Sequence, residues 1–127
     1  MGNPISENIK IGTLGELIVQ TRLLQYGVQS APPLKDSGNV LIAICGEVFK
    51  GGQVKTTASG RLRWENLPEH YHILALVDLV GDEDQIYIDK TIVYLVPRSE
   101  VENISSNDGS LDKFEICKGL VDGLFNH

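Results

Sequence analysis

Gln53 and Lys55 stand two apart in GNVLIAICGEVFKGGQVKTT, residues 38 to 57. On a strand that spacing turns an amide and an ammonium to one face while Val54 turns to the other. By itself the pattern describes almost any half-buried strand. Other residues could also do chemistry. Arg61 and Arg63, with Trp64 beside them, are of the types that hold a backbone phosphate and stack on a base. Two solvated arginines beside a packing tryptophan would read the same way. His70 and His72 would share a strand face, but a metal site needs three or four ligands and no spacing supplies the others. The run GDED, residues 81–84, lacks the spaced ligands of a calcium loop and reads as a hairpin turn. Neither Cys45 nor Cys117 sits in a nucleophile motif, and no phosphate-cradling glycine loop is present.

Elements must position these groups. TLGELIVQTRLLQYG, residues 13–27, has helical apolar spacing, with Thr13 suited to cap its start and Gly27 its end. VQSAPP predicts a short extended piece, and Asp36-Ser-Gly-Asn a turn. VLIAIC, residues 40–45, predicts a buried strand; Gly46-Glu47 is the bend of a hairpin and VFKGGQVKTT its return. Gly51 and Gly52 in that return strand mark a bulge or a close approach of another group. Residues 71–80 and 86–96 are β-rich runs on either side of the acidic turn, and Pro97 stops the second. PRSEVENI predicts a short helical turn, SSNDGS a loop, and residues 111–125 a closing helix. The order predicts an α/β domain spanning residues 1–127, with a mixed central sheet flanked by helices.

With 127 residues, 42% of them hydrophobic and 22% charged, the chain has the composition of one globular domain. It holds no apolar run long enough to cross a bilayer, so no membrane association is expected. The start MGNPISENIKIG lacks the basic and apolar regions of a secretory signal, and two cysteines make no disulfide framework, which together suit a cytoplasmic protein. The net charge of −6 argues against a general nucleic-acid coat. Its distribution is uneven. Residues 35–63 carry a net +3 around the Gln-Lys strand, whereas residues 64–127 carry four bases and thirteen acids. Sampling among eleven basic residues would also give such a cluster.

The features fall in a telling order. Gly12-x-x-Gly15-Glu16 opens the helix, Gly27 closes it, Pro33 and Asp36-x-Gly38 precede the apolar strand, and Gln53-Val54-Lys55-Thr56-Thr57 follows the hairpin. This order resembles the PD-(D/E)XK nuclease superfamily, and within it the small endonucleases and Holliday-junction-resolvase-like proteins whose last motif reads Gln-x-Lys. The resemblance covers residues 11–57 and extends more loosely to about residue 101. It implies a restriction-endonuclease-like fold, with Glu16 as the helix acid and Gln53 and Lys55 as the strand pair. It also implies DNA as the substrate, Mg²⁺ or Mn²⁺ as the cofactor and, since a duplex has two strands to cut, a homodimer.

In such a site Glu16, Asp36 and Gln53 would hold the metal, and Lys55 would stabilise negative charge or orient the attacking water. Lys50, Thr56, Thr57, Arg61 and Arg63 would contact the substrate. The usual pattern has an acid immediately before a Leu-Ile pair; here Val40 stands there, before Leu41-Ile42. Asp36 is the nearest acid. Along a straight strand it would lie roughly 13 Å from position 40, but across a β-turn the end Cα atoms come within about 7 Å. Three explanations of Val40 stay open: Asp36 has taken over, the chain is a non-cutting relative, or the acid was replaced to remove activity. A non-catalytic module gripping DNA or a protein is therefore the alternative to an endonuclease. A protein-interaction or immunity-type domain, suggested by the acidic second half, is a third.

Overall fold

The computed structural model describes residues 5–34 and 40–125. Helix α1 runs Glu7–Gln25 and begins before the Thr13 expected from sequence. Ser6 is the reason: its side-chain oxygen accepts the Ile9 amide at 3.3 Å, satisfying a donor that the first turn leaves without an intrahelical partner. Thr13 becomes an exposed residue inside the helix. At the other end Gly27, at φ +84°, takes the left-handed turn that stops it, as expected.

Five strands follow: β1 Gln29–Ala31, β2 Leu41–Cys45, β3 Val48–Thr57, β4 Ile73–Asp78 and β5 Ile92–Pro97. They form one mixed sheet in the order β1-β2-β3-β4-β5, antiparallel throughout except for the parallel β3–β4 pair. The predicted hairpin bends at Gly46, φ +61°. Its ladder runs without a break through Gly51↔Ile42 and Gly52↔Leu41, so the two glycines make no bulge. A close approach does occur at Gly51. Its N–H donates to His72 Nδ1 at 3.0 Å, and its carbonyl accepts the His72 amide at 2.9 Å. That gives His72 a structural role.

The sheet is covered on both sides. On one face Ile18, Val19 and Leu23 of α1 pack with Leu41, Ala43, Ile73, Ala75 and Val77, and with Val121 and Phe125 of the closing helix α2, Lys118–Phe125. On the other, Leu74, Leu76 and Val96 lie under the crossover between β3 and β4 and under the chain after β5. The crossover contributes Leu62, Trp64 and Leu67; the later chain contributes Val101, Leu111 and Phe114. Short 3₁₀ helices at Arg98–Asn103, the predicted helical turn, and Asp112–Phe114 carry that later cover.

Two predicted elements are shorter than their apolar runs. Residues 86–91 precede β5 as a turn: Gly81 bridges Ile86, and the Thr91 hydroxyl accepts from the Val80 amide at 3.0 Å and donates to the Tyr87 carbonyl at 2.9 Å. The closing helix occupies only the second half of residues 111–125. Leu111 and Phe114 bury on one face of the sheet, Val121 and Phe125 on the other, and no straight helix serves both. Between them the chain passes along the edge of β5, where Glu115 bridges Tyr94 and the Ile116 amide donates to the Val93 carbonyl at 2.8 Å.

Candidate active site

The candidate site is set by where β2 stops. Its pairing with β3 runs from Cys45↔Val48 to Leu41↔Gly52, and the Val40 amide adds a last bond to the Gly52 carbonyl at 2.9 Å. Beyond Gly52, residues Gln53 to Thr57 pair with β4 alone among the described residues. Among the described residues this stretch of β3 therefore has one open edge, and Val40 stands at its corner. Gln53 lies opposite Leu74 and Lys55 opposite Leu76, so both face the side of the crossover. Gln53 is the one buried polar or charged residue among those described, at 6% exposure, and Lys55 is half-buried with no ion pair among the described residues.

Glu16 comes from the other face. Helix α1 rests on β3 at Gly15, where a Cβ would overlap the Oγ1, Cβ and Cγ2 atoms of Thr56. This close seat fixes how near the next residue, Glu16, lies to the strand. The Glu16 carboxylate is half-buried, has no hydrogen-bond or ion-pair partner among the described residues, and is pushed above its ordinary pKa by that burial. Because α1 packs against Val54 and its neighbours, Glu16 can meet Gln53 and Lys55 only past the open edge of β3. Val40 packs on the α1 side of that edge. Asp36 lies outside the described residues.

The expected substrate contacts divide between the faces. Lys50, opposite Ala43, lines an apolar cavity with Val19, Leu23 and Phe125 on the α1 face; Gln53 also borders that cavity, while Lys55 does not. Thr56 is on that face too; its hydroxyl is buried under Gly15 without a hydrogen-bond partner among the described residues. Thr57 faces the Lys55 side, where its hydroxyl accepts the Ser59 amide at 3.1 Å and starts the crossover. Arg61 and Arg63 are exposed on the crossover, whose Leu62 and Trp64 pack against the Leu74 and Leu76 side of the sheet. They therefore rise on the side that Lys55 faces. His70 is exposed, and in GDED the Asp82 carboxylate accepts the Asp84 and Gln85 amides at 2.8 and 2.9 Å, as a hairpin turn would have it.

Asp78 is a residue the sequence reading passed over. It ends β4 opposite Thr57, on the face of Lys55. Nearby, Tyr94 is pushed above its ordinary pKa by burial first, then by Glu115, Asp112 and Asp78. The only signal in the sequence is an acid closing an apolar run, ILALVD, which any strand end can show. Among the described residues no three His, Cys, Asp or Glu side chains are grouped closely enough to hold a metal ion. No helix among them is long and apolar enough to cross a membrane.

No protein-family profile matches the chain, and no curated protein sequence does. Among solved structures it is similar to a bacterial homing endonuclease, I-Ssp6803I. The likeness covers 83% of this chain and 72% of that one, at a TM-score of 0.53 and 16% sequence identity. At that identity the likeness shows the fold: an α/β mixed sheet with flanking helices, matching a nuclease.

Proposed function

We propose that this chain is a small PD-(D/E)XK nuclease of the Gln-x-Lys type. In its active form it hydrolyses DNA phosphodiesters with Mg²⁺ or Mn²⁺, as an endonuclease or a resolvase. The observation that supports the reading is the edge of β3 beyond Gly52, unpaired on one side among the described residues. Val40 stands at its corner on the α1 side, Gln53 and Lys55 lie on the opposite side, and α1, which bears Glu16, packs on it at Gly15. The homing endonuclease with a similar fold adds support for DNA as the partner.

The donor set suits a hard divalent cation. Glu16 and Gln53 offer oxygen, the ligand Mg²⁺ prefers, and a half-buried carboxylate with no cationic partner among the described residues is stabilised by an ion beside it. Such an ion, when bound, supplies Lewis-acid polarisation of the phosphate and a more acidic water. The ammonium of Lys55 steadies the charge that develops on the phosphate oxygens or orients the attacking water. Arg61 and Arg63 grip the backbone on the same side. Asp36 would add a second carboxylate; without it the set has one, and the metal is held weakly.

Val40 favours a second reading, a nuclease fold that binds DNA or a protein partner without cutting. Plasmid nicking with Mg²⁺ or Mn²⁺, run on the chain and on Val40→Asp, separates the two. Cleavage by both supports Asp36 as the second acid, and cleavage by Val40→Asp alone supports a silenced site. Retention of DNA without cleavage by either variant overturns the nuclease reading in favour of the module. Absence of DNA binding at low salt overturns the nuclease reading and leaves, of the second, only the protein partner.

A further inference from the structure

Of the chain's aromatic residues, all of them described, Phe49 alone is exposed, at 63%. It lies on β3 opposite Ile44 of β2, itself 37% exposed, one rung in from the hairpin bend. A single exposed aliphatic is ordinary, but a ring paired across the ladder with a second apolar side chain makes a small platform. The alternation of β3 puts that platform on the face of Gln53 and Lys55, and Gly51 between them adds no side chain. From Phe49 the row runs about 13 Å to Gln53 and about 20 Å to Lys55, at roughly 3.3 Å per residue. Among the described residues the cover of this face rests on β4 and β5 through Leu74, Leu76 and Val96. Ile44 and Phe49 lie outside it, while the crossover within it carries the exposed Arg61 and Arg63.

We propose that Phe49 and Ile44 form a stacking platform for unpaired bases of a DNA strand whose backbone continues along β3 to Gln53 and Lys55. The chemistry of the row selects this occupant. A nucleic-acid strand carries π faces and phosphates together, so it meets the ring at one end and Lys55, Arg61 and Arg63 at the other. An apolar protein surface would satisfy the ring and leave the cations unmatched. Within a duplex each base is stacked between its neighbours and shows only its edges in the grooves, so Phe49 can stack only where a strand is unpaired. The inference rests on reading Gln53 and Lys55 as the site of DNA chemistry and narrows its substrate: DNA with an overhang, flap or branch, several nucleotides of single strand lying beside the phosphodiester that is cut.

Fluorescence anisotropy at low salt without divalent metal, which keeps cutting out of the readout, tests this. The probes are a labelled short oligothymidylate, the same oligonucleotide with abasic residues, and a blunt duplex. The chain should bind the ordinary single strand more tightly than the abasic one. Phe49→Ala should weaken the ordinary single strand by roughly 5- to 100-fold, with an unchanged circular dichroism spectrum because the ring is exposed. Phe49→Trp should retain binding, and Phe49→Ala should leave the abasic strand and the blunt duplex unchanged. Equal affinity of the chain for ordinary and abasic strands would overturn the proposal. So would a Phe49→Ala variant that holds the single strand as tightly as the chain does, or that weakens all three probes alike. Plasmid nicking by Val40→Asp reports separately: nicking with no role for Phe49 leaves the nuclease and removes the platform, whereas Phe49-dependent binding with no nicking removes only the cutting.

Discussion

Substituting alanine at two glycines of one helix should give opposite results. Gly12 and Gly15 both lie within α1, and a Cβ at Gly12 would have nothing within 4 Å. Gly12→Ala should therefore stabilise the fold by roughly 0.5–1 kcal/mol, the ordinary gain from removing glycine's backbone entropy. At Gly15 the same gain is opposed by overlap with Thr56. Rotating Thr56 does not fully relieve it, because even with its Cβ hydrogen turned toward the helix the Thr56 Cβ stays in place on the strand, 2.7 Å from the added atom. Overpacking of this kind costs about 1–3 kcal/mol, so Gly15→Ala should be destabilised on balance and lie about 1–3 kcal/mol below Gly12→Ala. Urea unfolding of both variants measures the difference. Thr56→Gly should restore room, making the Gly15→Ala, Thr56→Gly pair less unstable than the sum of its singles. If Gly15→Ala proves as stable as Gly12→Ala, α1 does not sit on β3 as described, and the proposed approach of Glu16 to the open edge is lost with it.

Other predictions follow from single groups. The Glu16 carboxyl is raised by burial, so the native state holds its proton more tightly than the unfolded chain does. Thermal stability should therefore decline as pH rises from the ordinary carboxylate range through the raised native value. Glu16→Gln should remove that decline, and millimolar Mg²⁺ should reduce it in the unmodified chain. Asp82 is held below its ordinary range chiefly by the hydrogen bond from the Tyr87 hydroxyl, then by the Asp84 and Gln85 amides. Tyr87→Phe should raise its pKa while leaving it depressed, as read from the carboxyl carbon shift against pH. Arg61→Ala with Arg63→Ala should weaken DNA binding and reduce the slope of log affinity against log salt by about 1–2.

Much of the architecture was legible. The hairpin was readable because VLIAIC is continuous and Gly46 takes the left-handed bend, and the end of α1 because Gly27 can adopt a positive φ. The start of α1 was obscured because Ser6 precedes a polar stretch whose exposed first turn carries little apolar periodicity. The front of the closing helix misled for a different reason. Leu111, Phe114 and Val121 have helical spacing, yet they serve opposite faces of the sheet, and face is a property of topology. The strand pair could be read as sharing a face, and the same alternation sets Thr56 opposite Lys55, but the face taken by α1 and Glu16 could not be read. That follows from the packing of Gly15 on Thr56, a contact between residues distant in sequence.

The central claim is that Glu16, residue 40, Gln53 and Lys55 gather at the open edge of β3. Paramagnetic broadening of backbone amide signals by substoichiometric Mn²⁺, in isotope-labelled Val40→Asp protein, tests it most directly. The predicted result is broadening centred on residues 16, 40 and 53–55, abolished by Glu16→Gln. Broadening centred on the acidic turn at residues 81–84, or unchanged by Glu16→Gln, would contradict it.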